Sequence, residues 1–161
     1  ISEGKLATSV NGPSFHAYSG ADQTISTSTY TTVAFNTEVW DTDNGFDTTT
    51  YKYTAPLAGI YQIAASVLWN TTASSTNNKY YAVGILSTYG GASNPQTVRA
   101  RDNQHIDLQD WWYCNVTALV RFNGSDDFCY ARVWHNRGGD ETLRGEAPER
   151  TGFYGNWLRP L

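Results

Sequence analysis

Three large aromatic residues stand together at Trp111, Trp112 and Tyr113, and they form the most ligand-like group in the sequence. In a strand, Trp111 and Tyr113 face one way and Trp112 the other, so all three cannot enter one core. A ring beside polar side chains suits a sugar, which has apolar C–H faces and polar edges. We expect Tyr89 and Asp110 to be stacking and polar neighbours. The sequence therefore predicts a ligand platform here, with interface or rim packing as the alternative.

The stretch from 136 to 150 is a second candidate for recognition, because it combines length with charge. We expect a long polar loop, and long charged loops on a rigid β scaffold often carry binding residues. The alternative is a solvated loop that closes one rim of the domain. The charged residues in it are Arg137, Asp140, Glu141, Arg144, Glu146, Glu149 and Arg150.

Residues that would support metal binding or catalysis are scattered along the chain. Asp102, Asp107 and Asp110 carry oxygen donors suited to Ca²⁺, and His105 precedes Asp107 by two positions. No motif organises these donors, so calcium is an option without motif support, and a solvated acidic loop is the favoured interpretation. No zinc-ligand spacing, phosphate-binding loop or Gly-x-Ser-x-Gly motif occurs. We therefore expect a protein that is not an enzyme and that holds no cofactor or metal.

Alternating polar and apolar residues predict that strands position these side chains. The clearest alternations run over 60–69, 112–122 and 128–135. Another, from 31 to 40, places Val33, Phe35 and Val39 on one face. The stretch 128–135 is apolar on both faces, so we expect it to be covered on both sides. No segment of ten or more residues has a helical period. We therefore expect an all-β sandwich or jelly roll of eight to ten short strands.

The length and composition of the chain limit which classes of protein it can belong to. A chain of 161 residues is expected to form one domain. Residues 1–13 are polar, and we expect them to be a leading segment or linker from an upstream chain, with a single domain over 14–161. The net charge of −4 gives no reason to expect nucleic acid, and no apolar run is long enough for membrane insertion. We expect Cys114 and Cys129 to be buried thiols, with a disulfide across the core as the alternative.

Several motifs occur in an order that resembles the complement component 1q / tumour necrosis factor superfamily, and specifically its complement-type globular head. They are Phe15-His16-Ala17, Asn44 with Phe46-Asp47, the run from Tyr53-Thr54-Ala55-Pro56 to Gly59-Ile60-Tyr61, the turn at 123–127, and the closing Phe153-Tyr154-Gly155-Asn156-Trp157-Leu158. The resemblance covers about 15–158. Within this superfamily, its motifs are most similar to the versions found in bacteriophage tail-fibre and virion proteins.

The resemblance implies a ten-stranded jelly roll that forms a homotrimer. The many aromatic residues agree with this, since one core does not obviously house six Trp, 11 Tyr and six Phe. We expect Tyr61 and Phe153 to lie in or beside the packing around the trimer axis, with Tyr130 and Trp134 as further interface residues.

The implied function is that of a non-enzymatic trimeric binding head. It would be the C-terminal receptor-binding domain of a phage tail fibre or virion surface protein, and it would recognise host cell-surface carbohydrate. One alternative is a fibre-tip module that only trimerises. Another is a secreted, extracellular complement-type head that binds a protein partner.

Overall fold

The computed structural model describes residues 12–71, 79–88, 95–105 and 111–161, and it contains two antiparallel sheets packed face to face. The seven-stranded sheet consists of β1 (Ser14–Tyr18), β2 (Gln23–Ile25), β4 (Thr37–Asp41), β7 (Ala58–Asn70), β10 (Trp111–Asn123), β12 (Glu141–Leu143) and β13 (Gly152–Arg159). The six-stranded sheet consists of β3 (Thr31–Thr32), β5 (Phe46–Asp47), β6 (Lys52–Thr54), β8 (Lys79–Ser87), β9 (Gln96–His105) and β11 (Phe128–His135).

Strand β7 organises the seven-stranded sheet. It pairs with β10 along its whole length, from Asn70 opposite Trp111 to Ala58 opposite Asn123. On its other side lie β13 and β12, and the order continues through β1 to the edge strand β4. In the second sheet the order is β5-β6-β11-β8-β9, with β3 also paired to β11. This arrangement confirms the predicted all-β jelly roll.

The core forms where the inward faces of the two sheets meet. The predicted inward residues of β7 and β10, among them Tyr61, Trp69, Cys114 and Phe122, are all buried. Stacked rings bridge the two sheets, as in the Phe15–Tyr53 pair with centroids 4.1 Å apart. Such ring pairs contribute about 0.5–1.5 kcal/mol beyond the burial of their area. The alternation of polar and apolar residues in β7 and β10 therefore predicted their core residues correctly.

The segment 31–40 was expected to be one strand, and this expectation is wrong. It contains β3 and β4, which belong to different sheets. Between them Phe35 N–H donates to Val33 C=O at 3.1 Å, and Asn36 N–H donates to Ala34 C=O at 3.1 Å, so the chain turns tightly. Val33 and Phe35 are buried as predicted, but the turn changes the alternation and leaves Val39 exposed.

Five of the thirteen strands in the described residues have only two or three residues, which explains the difference from the expected ten. One of these, β12, lies within 136–150, where the sequence predicted a loop. The same stretch holds a buried ion pair, in which Arg137 Nε donates to Glu141 Oε1 at 3.0 Å. The segment 136–150 is thus partly built into the domain rather than wholly solvated.

The two cysteines are buried and are not joined by a disulfide. Cys114 belongs to β10 and Cys129 to β11, so they lie on different sheets. Complete burial raises the pKa of the Cys129 thiol far above its ordinary value. The thiolate is the reactive form of cysteine, and burial suppresses it. These residues therefore act as small core residues, which confirms the favoured interpretation.

Candidate functional site

The aromatic cluster at the start of β10 divides between the two faces of the strand, as the alternation requires. Trp111 is 56% exposed and Tyr113 is 47% exposed on the outer face of the seven-stranded sheet. Trp112 points inward and packs against the core. Two rings separated by one strand position therefore remain at the surface, and Trp112 supports the strand from below.

The charged segment 144–150 lies directly beside these two rings. The guanidinium carbons of Arg144 and Arg150 are each 5.8 Å from the centre of the Trp111 ring. The Tyr113 hydroxyl donates a hydrogen bond to the Glu149 carbonyl at 3.3 Å. The sequence suggested the aromatic cluster and the charged segment as separate candidates, and the structure brings them together at one site.

Backbone hydrogen bonds hold the start of this segment. Gly145 N–H donates to Asp22 Oδ1 at 2.9 Å, and Glu146 N–H donates to Ser19 C=O at 2.8 Å. A side chain at Gly145 would collide with the carbonyl oxygen of Ala21, so this close approach requires glycine. Glu146 adopts a positive φ of 72°, which turns the chain back towards β13. The loop is therefore anchored at a defined place beside the rings.

Thr151 fixes the other end of the loop. Its buried hydroxyl donates to Arg144 C=O at 2.7 Å and accepts from Leu68 N–H of β7 at 3.1 Å. This one side chain satisfies a loop carbonyl and a strand amide that would otherwise be left unpaired in the interior. The loop is thus tied to the central strand of the sheet that carries Trp111.

The charges around Trp111 are paired within the loop and its support. Arg144 forms an ion pair with Asp22, and Arg150 Nη1 lies 3.1 Å from Glu146 Oε2. Paired surface charges give little net field but offer both donors and acceptors in fixed positions. Aromatic faces bordered by such groups match the C–H faces and hydroxyl edges of a neutral sugar.

Two of the predicted ligand residues, Tyr89 and Asp110, lie outside the described residues. The same holds for Asp107 of the suggested calcium set, and Asp102 is described only as part of the backbone of β9. Among the residues whose placement is described, no group of three or more His, Cys, Asp or Glu is arranged to hold a metal ion. The calcium suggestion therefore gains no support from this part of the chain.

The four predicted interface residues occupy two different places. Tyr61 and Phe153 are 0% exposed within a single chain, so they belong to its own core. Whether they border a trimer axis stays a prediction. Tyr130 and Trp134 are half-buried on the outward face of β11, in the six-stranded sheet. Their place at an interface also stays a prediction.

A groove that was not predicted from the sequence lies on the outer face of the seven-stranded sheet. Its volume is about 380 Å³, and Pro148 and Glu149 form one end of it. His16 lies inside, edge-on to Trp40 at 4.9 Å and to Tyr154 at 5.8 Å. These three side chains come from β1, β4 and β13, and only the strand pairing brings them together.

The chain has the jelly-roll fold of complement component 1q and tumour necrosis factor head domains. It superimposes on the zebrafish complement 1qA globular domain with a TM-score of 0.63, at 13% identity over 92% of this chain and 99% of that one. For Eiger TNF from S. frugiperda the TM-score is 0.66, at 13% identity over 92% of each chain. For murine APRIL at pH 8.5 it is 0.63, at 14% identity over 91% and 98%.

A curated relative in sequence is the uncharacterised protein YqcC of Bacillus subtilis (strain 168). It is 30% identical over 129 residues, which is 78% of this chain and 33% of YqcC. The chain thus spans about a third of the length of this relative. No protein-family model matches the sequence. In the described part of the chain, no helix is long and apolar enough to cross a membrane.

Proposed function

We propose that this domain is a non-enzymatic, homotrimeric binding head that recognises carbohydrate on a host cell surface. In this proposal it is the C-terminal receptor-binding domain of a phage tail fibre or virion surface protein. The observation that carries the proposal is the Trp111 and Tyr113 platform, bordered by an anchored loop with fixed donors and acceptors. Separate observations support the trimer, the location on a virion and the carbohydrate ligand.

The trimer is supported by the outer face of the seven-stranded sheet. Large apolar side chains there are 44–66% exposed: Trp40, Leu119, Tyr154 and Leu158. Several large apolar side chains exposed on one sheet face of a protein are the kind of surface that a partner covers. Burial of apolar area contributes roughly 25 cal/mol per Å², so covering this face with neighbouring copies is favourable. The proposed trimer face is therefore this sheet, and this differs from the four interface residues expected from the sequence.

The origin and the length of the relative YqcC support the location on a virion. YqcC comes from a bacterium, and about two thirds of its length lies outside the match. A head carried on a longer protein is the arrangement that a fibre requires. Three identical sites on one rigid head would engage repeated surface groups together, so that weak single contacts sum to strong attachment.

The ligand is inferred from the chemistry of the platform. Trp111 sits at the rim of the apolar face and retains an exposed ring beside Arg144 and Arg150. A sugar can stack on this ring while its hydroxyl groups exchange hydrogen bonds with the loop. Aromatic and Arg side chains are the groups that most often dominate binding energy at protein surfaces.

The test compares cell adsorption by the native head with adsorption by Trp111→Ala. We expect the variant to remain folded and trimeric, and to lose most of its adsorption to host cells. A matched control is Tyr80→Ala, since Tyr80 is also an exposed ring, at 39%, but lies on the other sheet. Equal adsorption by Trp111→Ala and the native head would contradict the platform.

A purely structural trimerisation module is the second candidate, and the same exposed apolar face favours it. A module of this kind would form the trimer but would bind neither glycans nor cells. A glycan array probed with the native trimer separates the two candidates. The secreted complement-type head remains the third interpretation, and a protein ligand found in place of a glycan would support it.

A further inference from the structure

The outward face of β11 carries a row of aromatic and cationic side chains. Every second residue points outward, and these residues are Phe128, Tyr130, Arg132 and Trp134, each half-buried. Residues two apart on a strand are roughly 6.6–6.8 Å apart, so the row spans about 20 Å. Neighbouring strands add Lys52 from β6 and Tyr30, which precedes β3. This row lies on the sheet opposite to Trp111 and does not belong to the site described above.

Each ring in the row is held by a neighbour. Lys52 Nζ lies 4.5 Å above the centre of the Phe128 ring, and Phe128 stacks with Tyr130 at 6.4 Å. Near the other end, the Arg132 guanidinium lies 4.1 Å above the Tyr30 ring. These contacts fix the side chains before any ligand arrives, and such preorganisation reduces the entropy lost on binding.

A hollow interrupts the sheet surface next to Arg132. Its volume is about 190 Å³, below the roughly 300–1,000 Å³ typical of pockets for drug-sized ligands, so it suits one small ring. The floor is Ala82 and Gly84 of β8, which pair with Trp134 and Arg132 and carry at most a methyl group. Small residues on one strand and large ones on the next therefore create the hollow.

The walls of the hollow define what it can hold. Tyr30 and Trp134 provide ring surface, with centroids 6.3 Å apart. Arg132 Nη2 donates a hydrogen bond to Thr97 Oγ1 at 3.3 Å. A guanidinium has five N–H donors, and within the described residues Arg132 forms no salt bridge. A cation with donors to spare, framed by rings, fits a ligand that is both ring-shaped and anionic.

We infer that the outward face of β11, centred on the hollow between Tyr30, Arg132 and Trp134, is a second binding site for a polysaccharide whose sugar rings bear carboxylates. One ring would pack against Trp134 and place its carboxylate on Arg132, because guanidinium and carboxylate pair through charge-assisted hydrogen bonds. Adjacent sugars would follow the row towards Tyr130 and Phe128, where Lys52 supplies a second positive charge. The site needs neither the trimer nor the Trp111 platform.

Calorimetric titration of the whole chain tests this inference. The probe is a hexasaccharide of glucuronic acid, and the neutral counterpart is a hexasaccharide of glucose. We expect the acidic probe to bind, to bind more weakly as salt is added, and to bind at least about tenfold more tightly than the neutral one. Equal binding of the two probes, or no binding of the acidic one, would overturn the inference.

Variants assign the binding to the hollow. Arg132→Gln replaces the guanidinium with a shorter, neutral amide and so removes the charge, and we expect it to lose at least about tenfold in affinity. Tyr30→Ala removes a ring that is 62% exposed, so it leaves the core intact and should weaken binding by a smaller factor. Trp111→Ala is the control and should bind the acidic probe unchanged.

The outcomes separate this site from the proposed function. If acidic-probe binding falls in Trp111→Ala and persists in both Arg132→Gln and Tyr30→Ala, the ligand belongs to the Trp111 platform and the inference is wrong. If Trp111→Ala loses cell adsorption while Arg132→Gln loses the acidic probe, both sites are real. Circular dichroism and light scattering on every variant show that the fold and assembly are retained.

Discussion

The outer faces of the two sheets differ in how their large side chains are engaged. On the seven-stranded sheet, Leu119 is 66% exposed and Trp111 is 56% exposed, and the apolar surface is broad. On the six-stranded sheet, the rings along β11 are half-buried and contact Lys52, Tyr30 or one another. The first face needs a large partner to cover it, and a second copy would provide one. The second face packs its rings against its own side chains and leaves a hollow beside Arg132.

The most direct test of this comparison is a substitution on β10, an edge strand of the seven-stranded sheet. Leu119 lies on β10 opposite Gln62 of β7, and Leu119→Asp would bury a carboxylate in the proposed interface. A fully buried Leu contributes about 1.5–3 kcal/mol, and an unpaired buried charge is more costly still. We expect the mass measured by light scattering at micromolar concentration to fall by about threefold, from trimer to monomer.

The matched control for that change is Leu57→Asp. Leu57 is 41% exposed in the turn that precedes β7, away from the sheet face. This variant should remain a trimer. A trimer that survives Leu119→Asp would show that the copies meet elsewhere, and a native protein that is already monomeric would remove the trimer altogether.

The hydrogen bonds that anchor the loop 144–150 provide a second test of the difference between the two sheet faces. Thr151→Val keeps the shape of the side chain but removes the hydroxyl that joins Arg144 C=O to Leu68 N–H. Two buried backbone groups then lose their partner, and we expect the free energy of unfolding in urea to fall by about 1–3 kcal/mol. Sugar binding at Trp111 should weaken, while binding on the six-stranded face should not change.

The control for this change is Thr54→Val. Thr54 is exposed on β6, and a surface substitution of this kind should stay within about 0.5 kcal/mol of the native protein. If Thr151→Val were equally neutral, the loop would not depend on that hydroxyl, and the site would owe its geometry to the ion pairs instead.

The sequence predicted the fold well because alternation reports burial directly. Strand β11 was expected at 128–135 and spans Phe128–His135. In β7 and β10 every second residue is in the core, as the pattern required. The failure at 31–40 has a physical reason, since two local hydrogen bonds turn the chain without changing its apolar pattern. Alternation alone does not distinguish one continuous strand from two strands in different sheets.

The candidate site was predictable only in part. Runs of aromatic residues and of charge are visible in the sequence, so Trp111 and the charged segment 136–150 were both predicted as candidates. Their contact depends on the pairing of β10 with β7 and on Thr151, and neither leaves a local signal. The hollow beside Arg132 depends on Ala82 and Gly84, which are small residues of a different strand. No local signal in the sequence shows that they pair with β11, so the hollow could not be predicted.

The smallest expected effect concerns His16, on the seven-stranded face. Burial lowers the pKa of its imidazole below the ordinary value. The folded chain therefore keeps His16 neutral at pH values where the unfolded chain already binds a proton. The contribution of neutral His16 to stability is complete above the unfolded-state pKa of about 6.5 and declines as the pH falls towards the folded-state pKa.

Thermal unfolding of the native protein and of His16→Phe between about pH 7 and pH 5 measures this contribution, because phenylalanine keeps a ring between Trp40 and Tyr154 but has no titratable group. We expect the native protein to lose more stability than the variant on acidification, and parallel profiles would contradict the assignment. If another copy covers this face, His16 is desolvated further in the trimer. The difference between the two profiles should then shrink when both proteins also carry Leu119→Asp, because that substitution removes the copy that covers His16.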